Sequence, residues 1–154
     1  LLEYVEKSGY PFYLETNGIL LGADTDYVKK LSKFSKFIYV RVSFKAATPE
    51  GFAERTGAIG KYYELPFKAL KHLLDEGIYA RAAAMTDPSA MPRKERTILI
   101  ERLNEIDPNA RYNETLEEET IDTYDTTLKR LQAFSDPEFA RKLEREIMRY
   151  SAPE

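Results

Sequence analysis

Three groups able to bind and orient a polar ligand stand at the ends of two apolar runs in this chain. Glu15 closes the first run, and Ser43 and Lys45 close the second. A carboxylate, a hydroxyl and an ammonium on one rim can orient a zwitterionic or polyol ligand through charge-assisted hydrogen bonds. The alternative is structural, because Glu15 and Lys45 could simply pair with each other. Arg81, in a third apolar run, is a further candidate.

The elements that must position these residues alternate between strands and helices. Residues 11–15, 37–44 and 78–85 are predicted strands, since they are apolar, rich in β-branched and aromatic residues, or placed directly after a helix stop. Strands joined by helices run parallel, because the crossover returns the chain to the same edge. We therefore expect an α/β fold, either an open doubly wound sheet or part of a β/α barrel. Helices are predicted over 1–8, after Asp24, from Thr48–Pro49 to Gly57, from Leu65–Pro66 to Gly77, and over 93–106.

The last part of the chain has a different character. Residues 112–124 are polar and include the acidic run Glu117–Glu119, which is expected to be a solvated face. Two helices are predicted after it, beginning at Asp125 and at Asp136. The expected organisation is a β/α domain over 1–111 and a mostly helical segment over 112–154 that packs on it. Several tyrosines are predicted to serve the core: Tyr4, Tyr10, Tyr13, Tyr27 and Tyr39.

Composition excludes several kinds of site. The 154 residues contain no cysteine, so they can form no disulfide, thiolate zinc site or iron–sulfur ligation. The formal net charge is −3 without a long basic run, so nucleic acid is not an indicated partner. No apolar run reaches the ~18 residues of a membrane span, and a cytoplasmic location is expected. Abundant Glu, Lys and Arg with a single Gln suit a protein from a hot environment.

The order of three motifs resembles radical S-adenosylmethionine (SAM) enzymes, in the branch related to pyruvate formate-lyase activating enzymes. The motifs are Leu14-Glu15-Thr16-Asn17-Gly18, then Val40 to Lys45, then Thr48-Pro49-Glu50-Gly51-Phe52. In that branch the third barrel strand ends in an acidic residue followed by Thr-Asn-Gly, and the fourth in a polar residue with Lys two positions later. The segment from Leu65 to Gly77 and the strand after it also look like the next β/α unit of that branch.

The resemblance implies a partial (βα)6 barrel of which this chain supplies roughly strands three to six, with extra C-terminal helices. It implies that Glu15 lies near the methionyl or ribose part of SAM, with Thr16 and Asn17 beside it. Ser43 and Lys45 would face the same cofactor, and Arg81 or Met85 could reach it from the following strand. Ser43 departs from the pattern, since the activating enzymes commonly carry Asp there.

A larger departure concerns the cluster. The family holds a [4Fe-4S] cluster with a CxxxCxxC motif and grips the methionine amine with a Gly-Gly-Glu motif, and this sequence has neither. The resemblance therefore implies a C-terminal fragment, inactive alone, whose missing N-terminal part carries the cluster. The parent protein would cleave SAM reductively to a 5′-deoxyadenosyl radical, for example in glycyl-radical activation, on an unknown protein or small-molecule substrate.

Two other functions stay open at this point. The chain could be a cluster-less α/β ligand-binding or scaffold module, or Lys45 could form a Schiff base as in aldolase-type barrels. The fragment interpretation also predicts a bare sheet edge at residues 12–15, because the preceding strands are missing. Such an edge carries unpaired N–H and C=O groups, so self-association through it is expected.

Overall fold

The computed structural model describes residues 1–88, 90–108 and 116–119, together with 125, 126, 129, 132, 133, 136–138 and 141. The chain divides into two compact units, Leu1–Thr120 and Ile121–Glu154. All strands and helices given below belong to the first unit. The helices predicted to begin at Asp125 and Asp136 lie largely outside the described residues.

Within the described residues, the first unit is built on a parallel sheet of four strands. These are β1 (Phe12–Thr16), β2 (Ile38–Phe44), β3 (Tyr79–Met85) and β4 (Leu116–Glu119), in the spatial order β1-β2-β3-β4. All three neighbouring pairs are parallel. The predicted α/β class with a parallel sheet is confirmed. The strand order follows the chain without the reversal that defines a doubly wound sheet.

Six α-helices connect and cover these strands in the described part of the chain. They are α1 (Leu2–Ser8), α2 (Ile19–Ala23), α3 (Thr25–Ser32), α4 (Pro49–Thr56), α5 (Glu64–Asp75) and α6 (Arg93–Ile106), and a short 3-10 helix spans Gly60–Tyr63. Among them, none combines the length and apolar character needed to cross a membrane.

Local sequence signals explain most helix boundaries. The side chain of Asp24 accepts a hydrogen bond from the N–H of Asp26 to cap α3, and Thr48 caps α4 in the same way. Gly57 ends α4 with a φ of 69°, a left-handed conformation that glycine adopts without strain. Helix α2 was not predicted, because the Thr16-Asn17-Gly18 segment indicated only a turn.

The core lies between the helices and one face of the sheet. Val40, Val42 and Phe44 of β2 point to this face and are at most 2% exposed. They pack in one cluster with helix residues that include Leu73 and Leu99, both 0% exposed. Burying a side chain of this size contributes about 1.5–3 kcal/mol. The neighbouring strand β3 presents only alanines to this face, which leaves room for the helices: Ala80, Ala82 and Ala84.

The opposite side of the sheet, here called the open face, is polar and aromatic. Alternation along the strands and the register of their pairing place the same set of odd-numbered residues on it. The side chains that matter below are Tyr13, Glu15, Tyr39, Arg41, Ser43, Tyr79, Arg81, Glu117 and Glu119.

Strand β4 contradicts the expectation of a solvated acidic run. Leu116 packs against the core, while Glu117 and Glu119 lie on the open face and pair with Arg41. Glu118, on the other side, accepts hydrogen bonds from Thr86 and Arg96. Arginines distant in sequence therefore compensate the charges of three consecutive carboxylates. The acidic run forms a strand of the first unit, although it lies beyond residue 111, where the β/α domain was expected to end.

Candidate functional site

The Thr-Asn-Gly segment forms the turn that joins β1 to α2. Thr16 Oγ1 accepts a hydrogen bond from the N–H of Gly18 at 3.1 Å, and Asn17 Oδ1 accepts one from the N–H of Ile19 at 3.1 Å. Gly18 has a φ of 73°, and a Cβ there would lie 3.0 Å from both Val42 and Pro66. The turn thus uses the acceptor atom of Asn17 and leaves its amide N–H groups for other partners.

The end of β2 brings two predicted site residues to a cavity beside this turn. Ser43 is the penultimate residue of β2, and Lys45 follows the strand. Together with Asn17 they line a cavity of about 290 Å³, whose walls also include Phe52 and Tyr62. The cavity opens at the carboxyl ends of β1 and β2, where parallel α/β sheets bind ligands.

The ammonium of Lys45 has no carboxylate partner among the described residues. This separates it from five arginines of the first unit, each of which pairs with at least one glutamate: Arg41, Arg55, Arg81, Arg96 and Arg102. Lys45 is only partly exposed. A partly buried cation without a counter-ion favours the binding of an anionic group in the cavity that it lines.

A buried ion pair fixes the backbone around Lys45. The guanidinium of Arg55 donates to the carbonyl oxygens of Lys45 and Ala90 and pairs with the carboxylate of Glu95. Glu95 in turn accepts a hydrogen bond from the N–H of Ala47 at 2.9 Å. This connection between α4, α6 and the segment after β2 was missed in the sequence, because Glu95 occupies an ordinary first-turn position of α6.

Glu15 and Arg81 belong to a different cluster from Asn17, Ser43 and Lys45. Glu15 pairs with Arg41 at 3.1 Å, and its side chain is 69% exposed. Arg81 donates from Nε to the hydroxyl of Tyr79 at 2.7 Å and from Nη1 to Glu117 at 3.2 Å. Glu15 and Ser43 share the open face, but Glu15 does not line the Lys45 cavity, and neither does Arg81.

Arg41 is the centre of this second cluster. It pairs with three carboxylates, those of Glu15, Glu117 and Glu119. Its hydrogen bonds to Glu117 and Glu119 raise the pKa of Arg41. Hydrogen bonding from Arg41, with a smaller contribution from Arg81, lowers the pKa of Glu117. The Arg41–Glu117 pair therefore stays ionised at neutral pH, and the ion pairs of Arg41 and Arg81 connect β4 to β2 and β3.

A row of tyrosines crosses the open face near the amino ends of the strands. The rings of Tyr13 and Tyr39 stack with centroids 5.1 Å apart, and Tyr39 meets Tyr79 edge-on at 5.4 Å. Tyr13 is 70% exposed, so the assignment of Tyr13 to the core was wrong. Tyr4 and Tyr10 are exposed as well. The alternation of side chains along a strand could have indicated that Tyr13 and Tyr39 face away from the core. Both stand at odd positions, whereas the core-facing residues of β1 and β2 stand at even positions.

Within the described residues, no group of three or more His, Cys, Asp or Glu side chains is arranged to hold a metal ion. The side chains at the end of β2 and in the turn after β1, an ammonium, an amide and a hydroxyl, suit an organic ligand with an anionic group. Comparison of the chain with protein-family models, curated proteins and solved structures finds no match.

Proposed function

We propose that this chain is the C-terminal part of a radical SAM enzyme and contributes one wall of the SAM site. The observation that carries the proposal is the meeting of Asn17, Ser43 and Lys45 around one cavity at the carboxyl end of the sheet. The strands of this sheet are parallel and lie in the order of the chain, and helices cover one face of it. Both features are expected for a segment of a (βα)6 barrel.

The donor set of the cavity fits the amino-acid end of SAM. The Lys45 ammonium attracts the carboxylate, and the free amide N–H groups of Asn17 and the hydroxyl of Ser43 add hydrogen bonds. Phe52 and Tyr62 supply apolar walls. The volume of about 290 Å³ lies just below the ~300–1,000 Å³ of complete small-molecule sites, so the rest of the ligand would contact other parts of the protein.

The roles of the other candidate residues follow from their contacts. Thr16 shapes the turn that presents Asn17, and Arg55 holds the carbonyl of Lys45 in place. Glu15 is available to the ribose or methionyl part only by sharing its carboxylate with Arg41. Arg81 has the same limitation through Glu117. In this proposal Glu15 and Arg81 lie at the margin of the SAM site.

The residues of this chain do not fit a [4Fe-4S] cluster, because they include no thiolate. Cluster ligation, and with it the reductive cleavage of SAM to a 5′-deoxyadenosyl radical, is assigned to the missing N-terminal part of the protein. The chain alone is accordingly proposed to bind SAM without turning it over. A cytoplasmic location remains part of the proposal.

Calorimetric titration of the chain with SAM tests the proposal. We expect binding that weakens about tenfold or more in Lys45→Met, because a hydrogen-bonded charge pair with the carboxylate is lost. Lys68→Met, which removes an exposed lysine on α5, is the matched control and leaves the affinity unchanged. Absence of SAM binding, or equal losses in both variants, would contradict the proposal.

Two further ligands separate the alternatives. If acetate, which keeps the carboxylate but lacks the rest of the amino-acid end, binds as tightly as SAM, a cluster-less ligand-binding module is favoured, because the cavity then recognises only an anionic group. If reduction with borohydride in the presence of small aldehydes or ketones labels Lys45 covalently, the Schiff-base alternative is favoured. The SAM proposal predicts neither result.

A further inference from the structure

We propose that the open face carries a second binding site, for a small aromatic acid with a single ring and a carboxylate. The site is a cavity of about 210 Å³ lined by Tyr13, Tyr39, Tyr79 and Arg81, with Arg41 and Glu117 beside them. It is separate from the Lys45 cavity, since the two share no lining residue. Tyr39 precedes Ser43 by four positions on β2, which is about 13 Å along a strand.

The aromatic part of the ligand is inferred from the tyrosine row. Tyr13 and Tyr39 are stacked with an angle of 20° between their planes, whereas Tyr39 and Tyr79 meet at 69°. The change of orientation leaves both ring faces and ring edges at the cavity. Tyr13 is 70% exposed and Tyr79 43% exposed, so a further planar ring can add to the row in offset or edge-on geometry.

The acidic part of the ligand is inferred from Arg81. Its Nε and Nη1 atoms are engaged by Tyr79 and Glu117, while Nη2 has no hydrogen bond to a described residue. Because the Tyr79 oxygen accepts from Arg81, the hydroxyl proton of Tyr79 remains able to donate. An incoming carboxylate therefore meets two donors, one on Tyr79 and one on Arg81, which are neighbours on the open face.

The spare hydrogen-bonding groups at this cavity are donors, which favours an anion over a cation. Arg41 is already held by three carboxylates, so Arg81 is the guanidinium of this cavity with a spare donor. The guanidinium of Arg81 also lies 5.4 Å from the centre of the Tyr79 ring, where a cationic ligand would otherwise bind. The carboxylate of Glu117, which also lines the cavity, is already engaged by both arginines and therefore offers little to a cationic ligand.

Size limits the ligand to one ring. An apolar cavity of ~150 Å³ accepts benzene, so 210 Å³ accommodates a benzene ring with a carboxylate. Ligands of nucleotide size occupy sites of ~300 Å³ or more. The same argument disfavours nucleic acid, as does the net charge of −3.

Titration of the ¹⁵N-labelled chain with benzoate, followed by NMR, tests the inference. We expect chemical-shift changes centred on the amides of Tyr13, Tyr39 and Arg81. Benzyl alcohol, which lacks the charge, and cyclohexanecarboxylate, which lacks the aromatic ring, should each bind at least about fivefold more weakly. Equal binding of either comparator overturns the inference, and so does benzoate binding elsewhere or not at all.

Two variants assign the contacts. Arg81→Gln is expected to weaken benzoate binding about tenfold, whereas Arg93→Gln, an exposed arginine on α6, leaves it unchanged. Tyr13→Leu keeps the strand apolar but removes the exposed ring, and it is expected to weaken binding as well. Unchanged affinity in Arg81→Gln would refute the site. The Tyr13→Leu result is independent of SAM binding at Lys45, because Tyr13 does not line that cavity.

Discussion

Arg55 and Glu95 form an ion pair that is almost completely withdrawn from water, with side chains only 10% and 9% exposed. The pair connects α4 to α6 and holds the backbone that follows β2 through the carbonyl of Lys45 and the N–H of Ala47. It is therefore both a structural connection and the support of the proposed SAM site.

Removing one partner of this pair should be costly. We expect Arg55→Met to lower the free energy of unfolding by about 3–5 kcal/mol, because Glu95 keeps a buried charge without a counter-ion. The double variant Arg55→Met/Glu95→Gln should recover part of the loss, since glutamine is neutral and still accepts from Ala47. Urea unfolding measures both.

The exposed pair of Lys71 and Asp75 is the control for this prediction. Its side chains are 60% and 58% exposed, so Lys71→Met should change stability by less than about 0.5 kcal/mol. A double variant that is no more stable than Arg55→Met would show that the unpaired charge is not the cause.

Gly22 permits the close contact of α2 with α5. A Cβ at this position would lie 2.0 Å from the carbonyl oxygen of Leu65, which is backbone and cannot rotate away. We expect Gly22→Ala to destabilise the protein by at least about 3 kcal/mol through overpacking. The measurement is the midpoint of urea unfolding.

Substitution of Gly77 is the control that distinguishes the cost of crowding from the cost of backbone strain. It has a φ of 69° and open space around it, so Gly77→Ala should cost only about 1–2 kcal/mol from the left-handed conformation. Equal effects of the two substitutions would contradict the packing argument for Gly22.

Acid should weaken the attachment of β4. Arg41 lowers the pKa of Glu117, and Arg96 lowers the pKa of Glu118, both from an ordinary value of 4.5. Their stabilising contribution is therefore complete above about pH 4.5 and is lost as the pH falls through the lowered values of the folded state. Thermal unfolding at a series of pH values should show this loss.

Glu117→Gln is the variant that isolates the effect. It should be less stable than the parent at neutral pH but should lose less stability on acidification, because one titrating group is gone. If the parent and the variant have parallel pH profiles, Glu117 does not contribute as described.

The outer edge of β1 should promote self-association. The N–H of Phe12 donates to Phe37 on the side of β2, so the N–H groups of Tyr13 and Glu15 point to the opposite side. Sedimentation velocity should reveal concentration-dependent association, with rising hydrogen-exchange protection of these two amides. Monomers whose Tyr13 and Glu15 amides are protected at every concentration would contradict this.

Two substitutions of one residue test the role of that edge. Glu15→Pro removes an outward N–H without disturbing the β1–β2 ladder, and Glu15→Ala keeps the N–H while also losing the pair with Arg41. Association should fall in the proline variant only.

The sequence predicted the elements whose pattern is local. The β-branched and aromatic run at 37–44 and the helix over 93–106 lie within a residue of their observed bounds. Strand β4 could not be recognised in this way, because Glu117 and Glu119 are stabilised there by Arg41, which is 76 and 78 positions away in the sequence. Helix α2 is short and begins inside what the sequence presents as a turn.

The sequence predicted those residues of the candidate site that lie at the ends of recognisable strands. Ser43 and Lys45 follow from the end of β2, and Asn17 from the turn after β1. That Arg41 pairs with Glu15 depends on the register of β1 against β2, which no local pattern specifies. The tyrosine row depends on three strands being adjacent, so it too becomes visible only in three dimensions.

The strand order follows the chain in one direction, so the two edges of the sheet are formed by different strands, β1 and β4. Strands β1 and β4 are different sequences that run the same way, so docking β1 of one molecule against β4 of the next would repeat without closure and build a filament. Docking β1 against β1 closes as a two-fold dimer. Whether association through the β1 edge ends at a dimer or continues into a filament therefore depends on which strand that edge pairs with.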